Sequence, residues 1–263
     1  MAQSRFQSLD WYDTPLYYDI VFEEDTEKEV DFLEAMAELY GRRPTQRVLE
    51  PACGSGRVLA AMARRGYQMT GFDANPHMLS FAENRMAKLK LPAELLAGRL
   101  EKFQLEGSFD LAFCLVSTFK YLLTEKEARS HLQCVAKHLA PGALYVLGFH
   151  LSEYGIIRSS RERWVGERNG VHVVSNLQIW PARRKERLEK VRSRLRIEEK
   201  GEVRQQEHYW EFRTYNAAQV RRLLRTVPAL EHVATYDFTY ELESERALDD
   251  QQLDVVLILR KRS

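Results

Sequence analysis

Apolar residues recur at three- and four-residue spacing over residues 27–40, "EKEVDFLEAMAELY", where Val30, Leu33, Met36, Ala37 and Tyr40 share one face and Gly41 follows to end the helix. The period then changes. "RVLEP" is a short unbroken apolar run, "GRVLAAMARRG" returns to helical spacing and closes on Gly66, and "YQMTGFD" is apolar again. Strand, loop, helix and strand in this order make a βαβ unit. Asn75 is placed to cap the next helix, which runs to about Lys90, with Pro76 at its first position where a missing N–H costs nothing. "AELLAG" and "FDLAFCLV" continue as strands, Thr124 and Glu127 form a capping box before "EKEARSHLQCVAKHLA", and Pro141-Gly142 turns the chain into "ALYVLGF". Strands interleaved with helices over residues 47–149 predict an open, doubly wound parallel sheet of α/β class with right-handed crossovers.

Beyond Phe149 the pattern breaks. Residues 152–213 lose the helical period and become charged, with Trp164, Trp180 and Trp210 spaced along them, which predicts an antiparallel β insertion after the fifth strand. A turn at Lys200-Gly201 sets Arg194 opposite Glu207, Lys190 opposite Glu211 and Val191 opposite Trp210. The basic run "RRKERLEKVRSRLR" thereby gains acidic partners and reads as a solvated sheet face, while the three tryptophans and His208 read as insertion core. Helix and strand alternation resumes at "TYNAAQVRRLLRTV", with Asn216 as cap, and ends in the antiparallel pair "HVATYDFTY" and "LDVVLILRK". The expected organisation is one α/β domain from residues 1–151 and 214–263, interrupted by an insertion over 152–213 that covers a substrate or pairs with a second copy of the chain.

Composition narrows the classes. With 263 residues, 39 basic against 38 acidic, and 44% apolar, the chain is globular and has no excess of positive charge for an obligate nucleic-acid binder. No apolar run approaches the roughly 18 residues of a membrane span, and "MAQSRFQSLDWYD" holds no signal-peptide core, so the expected location is cytoplasmic. Cys53, Cys114 and Cys134 are too scattered for a disulfide framework or a zinc site; no metal is expected, and Cys53 and Cys114 read as packing residues.

Candidate chemistry centres on "LEPACGSGR". A phosphate-binding P-loop needs a terminal Gly-Lys-Ser/Thr, which is missing, and a dinucleotide loop needs a third glycine where Leu59 stands. Glu50, at the strand end beside the loop, would repel a pyrophosphate and favour a cation. S-adenosylmethionine fits that demand, having an α-ammonium and no phosphate, and Asp73 at the end of the next strand can accept from both ribose hydroxyls.

At these residues the sequence resembles the class I S-adenosylmethionine-dependent methyltransferases, from "YDTPLYYDIVF" through "VLEPACGSGRV", "GFDANPHML", "AGRLEKF", "FDLAFCLVSTFKYL" and "LAPGALYVLGF" to "RTYNAAQVRRLL". Within that class it looks most like small-molecule enzymes of the glycine and sugar-amine N-methyltransferase kind. The resemblance implies a Rossmann-like seven-stranded sheet with an antiparallel edge strand and an N-terminal segment, residues 1–26, closing over the cofactor. It implies that Glu50 holds the methionyl ammonium and that Ala52, Cys53, Gly54 and Gly56 let the backbone approach the cofactor. Asp73 would take the ribose, Ala74, Met78 and Leu100 would flank the adenine, Leu115 and Ser117 would lie beside the methyl group, and Tyr17 and Tyr18 near the carboxylate. Two residues depart from the family pattern. Arg99 stands where an aspartate usually accepts from the adenine amino group, leaving that contact to the Leu100 backbone or to Glu101, and Ala52 replaces a glycine.

Methyl transfer from a sulfonium to a small-molecule acceptor is an in-line displacement that positioning and desolvation accelerate, with S-adenosylhomocysteine as product. A general base helps an acceptor that arrives protonated or as a hydroxyl; His150, just past the fifth strand, is the first candidate, then Tyr12 or Tyr17. Arg57 either reaches a carboxylate or only begins its helix. Rival readings are an adenine-N6 nucleic-acid methyltransferase, which needs an Asn/Asp-Pro-Pro-aromatic motif where this chain has "CLVSTFKYL", a dehydrogenase, and a non-catalytic cofactor-binding module.

Overall fold

The computed structural model describes residues 6–263, so residues 1–5 of the expected N-terminal cover lie outside the described residues. In chain order the elements are β1 Gln7–Ser8, α1 Pro15–Phe22, α2 Thr26–Tyr40, β2 Arg47–Pro51, α3 Arg57–Arg64, β3 Gln68–Asp73, α4 Pro76–Leu89, β4 Ala93–Ala97 and β5 Phe109–Cys114. Then follow α5 Glu125–His138, β6 Leu139–His150, β7 Ser160–Arg168, β8 Val171–Ile179, β9 Leu188–Glu199, β10 Glu202–Arg213, α6 Ala217–Arg225, β11 Leu230–Tyr236 and β12 Asp254–Lys261.

Seven strands form the main sheet in the order β11-β12-β6-β5-β2-β3-β4, parallel except for β12, which runs antiparallel to both neighbours. The antiparallel strand thus lies one place in from the edge, which β11 occupies. Every residue of β5 is buried, as a parallel strand covered on both faces requires. One face packs on α5 and α6 through Leu132, Val135, Val220 and Leu223; the other packs on α2 and α3 through Leu33, Met36, Leu59 and Met62. Order in the sheet reverses between β2 and β5, so the loops leaving these two neighbours diverge and open a crevice at their carboxyl ends.

Local signals act as expected. Asn75 accepts from the N–H groups of His77 and Met78, and Thr124 and Glu127 complete their capping box. Pro141-Gly142 differs: both residues lie inside the long strand β6, and the register with β5 shifts there, so the turn is a bulge within one continuous strand.

The insertion forms a second sheet, β1-β10-β9-β8-β7. Its hairpin register matches the sequence expectation, with Arg194 opposite Glu207, Lys190 opposite Glu211 and Val191 opposite Trp210. The Arg194–Glu207 pair closes at 2.5 Å, but Glu211 pairs with Arg183, and the Lys190 ammonium sits 4.5 Å over the Tyr209 ring. A helix, α1, covers this sheet: Trp11, Tyr17 and Ile20 share a core with Val173, Val191 and Ile197. Contact is close enough that a Cβ on Gly166 would stand 2.3 Å from the Ile20 carbonyl oxygen. The described N-terminal residues therefore pack against the insertion as well as against the α/β domain.

Asp19 fastens this assembly. Its carboxylate is fully buried and is shared by Arg85 of α4, Arg168 of β7 at 2.7 Å and the Ser55 hydroxyl at 2.6 Å. One side chain thus joins α1 to the insertion, to the main domain and to the glycine loop.

Candidate active site

The loop after β2 has positive φ at every second residue over five positions: Ala52 at +54°, Gly54 at +54° and Gly56 at +69°. Gly54 has open space where a Cβ would project, whereas a Cβ on Gly56 would meet that of Ala82 at 2.9 Å. Ala52 bears a left-handed conformation that disfavours L-residues by about 1–2 kcal/mol, which explains why glycine suits the position. Ala52→Gly removes that cost but loses about 0.5–1 kcal/mol to the extra freedom of glycine in the unfolded chain. The expected net gain is about 0.5–1 kcal/mol, seen as a melting temperature higher by roughly 1–4 °C in a thermal unfolding scan.

Asp73 ties the loop to the next strand. Its two carboxylate oxygens accept from the N–H groups of Gly54 and Asn75, both at 2.8 Å, and each retains capacity for a further donor. Burial pushes this carboxyl above its usual range, against the backbone hydrogen bonds that pull it down. Ala74 and buried Met78 follow at the start of α4, and the Gly98 N–H donates to the Asp73 carbonyl, bringing the chain leading to Leu100 alongside. The Leu100 carbonyl is taken by His131 Nδ1 at 2.9 Å, and Glu101 is paired with Arg99 at 2.5 Å, so both adenine contacts considered from sequence already have partners. Arg99 itself is exposed.

Glu50, one residue before the end of β2, is 8% exposed, and its Oε2 atom has no hydrogen-bond partner. Burial, opposed chiefly by the field of Arg57, holds its carboxyl well above the usual range. A narrow crevice of about 40 Å³ adjoins it, lined by Ala52, Cys53, Gly54 and Leu115 and by Tyr18 from α1. An orphaned buried carboxylate is costly unless a cation completes it, so these residues fit the α-ammonium of S-adenosylmethionine.

Beside the crevice lies a cavity of about 600 Å³ whose walls share Tyr18, Arg57 and Val116 with it. Ser117 and His150 line it, as does Tyr12, whose hydroxyl bonds that of Tyr121 at 2.8 Å. Val116 and Ser117 both have positive φ, an outlier for a β-branched residue, and this kink lets the Ser117 hydroxyl accept the His150 backbone N–H at 3.1 Å. His150 Nδ1 in turn meets Asp254 Oδ1 at 2.5 Å, which leaves Nε2 for an acceptor.

Several sequence expectations change here. Tyr17 lines neither cavity; it is buried in the insertion core, with Arg204 stacked 5.9 Å from its ring, so it is neither a cofactor contact nor a base. Tyr12 stands in the cavity, but burial first, then Tyr121, holds its phenol well above the usual range, and such a group cannot take a proton at neutral pH. Trp164 and Trp210 are partly buried against the insertion core, and all three tryptophans also line the cavity. His208 stays outside, 3.6 Å from Asp10. Cys53 and Cys114 are buried; desolvation raises both thiols, that of Cys114 to about 12, so both are unreactive. Sequence reasoning missed Asp254, more than a hundred residues from His150, and left Arg57 undecided. Arg57 lines both cavities and is committed to Glu29, with a second nitrogen reaching Glu29 Oε1 at 2.8 Å.

Residues 48–142 match the family model described as a methyltransferase domain. That stretch, from β2 to the bulge in β6, resembles a methyltransferase domain. It is 25% identical over 119 residues to a putative methyltransferase of Geobacillus sp. (strain WCH70), covering 45% of this chain and 48% of that protein. The chain thus spans about half the length of the curated relatives it matches. An S-adenosylmethionine-dependent methyltransferase of Clostridium acetobutylicum superposes with a TM-score of 0.76 at 16% identity, over 96% of this chain and 99% of its own. CalS10, an amino pentose methyltransferase of Micromonospora echinaspora solved with S-adenosylmethionine bound, superposes with a TM-score of 0.69 at 18% identity, over 97% and 98% of the two chains. Likenesses at such identities establish the fold alone, and they cover both the main sheet and the insertion.

Proposed function

We propose that the protein transfers a methyl group from S-adenosylmethionine to a small-molecule acceptor held in the 600 Å³ cavity. The observation that carries this reading is the partnerless Glu50 carboxylate oxygen at a crevice that opens onto that cavity. Glu50 holds the ammonium, Asp73 accepts the ribose hydroxyls through its outward lone pairs, and Met78 and Leu100 border the adenine. Tyr18 roofs the crevice. The cofactor would supply an electrophilic methyl on its sulfonium: an acceptor lone pair attacks that carbon in line, and the C–S bond breaks to release the thioether of S-adenosylhomocysteine. Aromatic walls exclude water from the reacting atoms.

His150 Nε2 takes the acceptor's proton, and Asp254 fixes the tautomer that leaves Nε2 available. His150→Gln lowers kcat by about 10²-fold or more, with S-adenosylmethionine affinity unchanged; Asp254→Asn gives a smaller loss of the same kind. Release of S-adenosylhomocysteine from a panel of amines and hydroxylated compounds reads the activity. Calorimetry with S-adenosylmethionine and NAD tests the cofactor, and tight NAD binding with none of the sulfonium would overturn the reading.

The CalS10 fold is that of an amino pentose methyltransferase, and this favours a nitrogen acceptor over a hydroxyl. The basic run of the insertion supports no nucleic-acid surface, since Arg183, Arg187 and Arg194 each pair with a glutamate.

A further inference from the structure

The lining of the large cavity is unbalanced in charge. Two of its cations are already neutralised: Arg57 by Glu29, and Lys120 by Glu189 at 2.7 Å, the latter pair almost wholly buried and also touched by the Ser152 hydroxyl at 3.3 Å. Of the remaining lining groups, Asp25, Glu153, Glu162 and Asp254 are acidic, with Arg158 and the His150 imidazole on the other side. The negative field reaches the reaction end. Burial first, then Glu29, Asp25 and Asp254, against the pull of Arg57, hold the Tyr240 phenol in that wall well above its usual range. Low-dielectric walls focus such a field rather than dissipate it.

Much of the rest of the wall is aromatic. Trp164, Trp180, Trp210 and Phe212 come from the insertion, Phe22 from α1, and Tyr121 from the segment that follows β5. Ring faces attract a desolvated cation and repel anions. Both Trp180 and Phe212 already serve cations, with Lys190 5.5 Å and Lys120 5.2 Å from their ring centres. A phosphate or nucleotide diphosphate entering here would meet carboxylates and ring faces, and the two inner cations could bind it only by abandoning Glu29 and Glu189.

Building on the methyltransferase reading, we infer that the acceptor is an apolar amine that enters as an ammonium ion on a ring-bearing body free of phosphate and carboxylate. Its cationic nitrogen lies toward Asp25 and Asp254, and its body lies against the insertion tryptophans. This separates the protein from enzymes whose amine is attached to a nucleotide diphosphate.

Four probes of similar shape or known class test it by calorimetric titration of the full chain: 2-phenylethylamine, its neutral counterpart 2-phenylethanol, the anion 3-phenylpropionate, and thymidine diphosphate. Each is titrated with and without S-adenosylhomocysteine. The expected order is amine at least tenfold tighter than alcohol, with the carboxylate and the diphosphate weaker than the alcohol. The double variant Asp25→Asn/Asp254→Asn brings amine and alcohol within threefold of one another by weakening the amine. Thymidine diphosphate or the carboxylate binding more tightly than the amine overturns the inference, as does equal binding of amine and alcohol to the unaltered protein. Failure of S-adenosylhomocysteine to bind at all counts against the methyltransferase reading instead, and the probe order without it still decides this one.

Discussion

Glu50→Gln lowers the affinity for S-adenosylmethionine at least about 30-fold, the loss of a buried charge pair worth about 2–5 kcal/mol, and raises the melting temperature of the cofactor-free protein. Both effects come from one atom. Oε2 of Glu50 is buried without a partner, so the free protein bears the cost of a desolvated carboxylate that the ammonium relieves on binding. Glutamine keeps the shape, removes the charge and turns an amide N–H₂ toward the ammonium. Because folding raises the Glu50 pKa, the folded state holds its proton more tightly than the unfolded one. Its contribution to stability is therefore intact below the usual carboxylate range and is lost as pH rises through the folded-state value. The stabilisation by Glu50→Gln accordingly grows with pH across that window. Where free Glu50 is protonated, cofactor binding expels its proton, and calorimetry in two buffers of different ionisation enthalpy measures the release. Equal affinity in the variant and the parent would remove Glu50 from the site.

Asp19→Ala destabilises the protein by about 3–5 kcal/mol, the usual result of removing one partner from a buried ion network. At about 2–4 °C per kcal/mol for a chain of this size, the melting temperature falls by on the order of 10 °C. The variant strands Arg85, and Ser55 loses its partner beneath the glycine loop, while Arg168 keeps Glu23 at 2.9 Å. The loss therefore falls mainly on the contact of α1 with α4 and the loop. Arg85→Met in the Asp19→Ala background recovers part of the stability, because the stranded charge is gone; a double-mutant cycle with no coupling would show that the network contributes nothing. Affinity for S-adenosylmethionine also weakens in Asp19→Ala, since Tyr18, the adjacent residue of α1, roofs the crevice.

Much of the main domain was legible one element at a time. The Asn75 and Thr124 caps, the run of β5 and the register about Lys200-Gly201 are set by neighbours in the chain, and each occurs as the pattern predicts. Glu50 and Asp73 were legible for the same reason: each lies at or next to the end of a strand, and strand ends in this fold meet at one edge. Tyr12 and Tyr17 were not separable by pattern. They lie five residues apart in one aromatic segment, and only the docking of α1 onto the second sheet sends Tyr17 into a core and Tyr12 to a cavity. The tryptophans of the insertion pose the same difficulty, since an alternating strand shows which side chains share a face but not what that face meets.

Sequence alone determined the order of strands and helices, the place where the α/β pattern is interrupted, and a loop whose acid suits an ammonium better than a phosphate. These are local properties, governed by backbone geometry, capping and charge within a few residues. Tertiary structure alone decided that Asp254 stands beside His150, that Asp19 joins four segments, and that Arg57 and Lys120 in the cavity wall are already paired while Asp25, Glu153 and Glu162 have no ion pair among the described residues. Such pairings depend on side chains far apart in the chain meeting in a desolvated space, where the strength of each charge is set by its neighbours in the fold rather than by its place in the sequence.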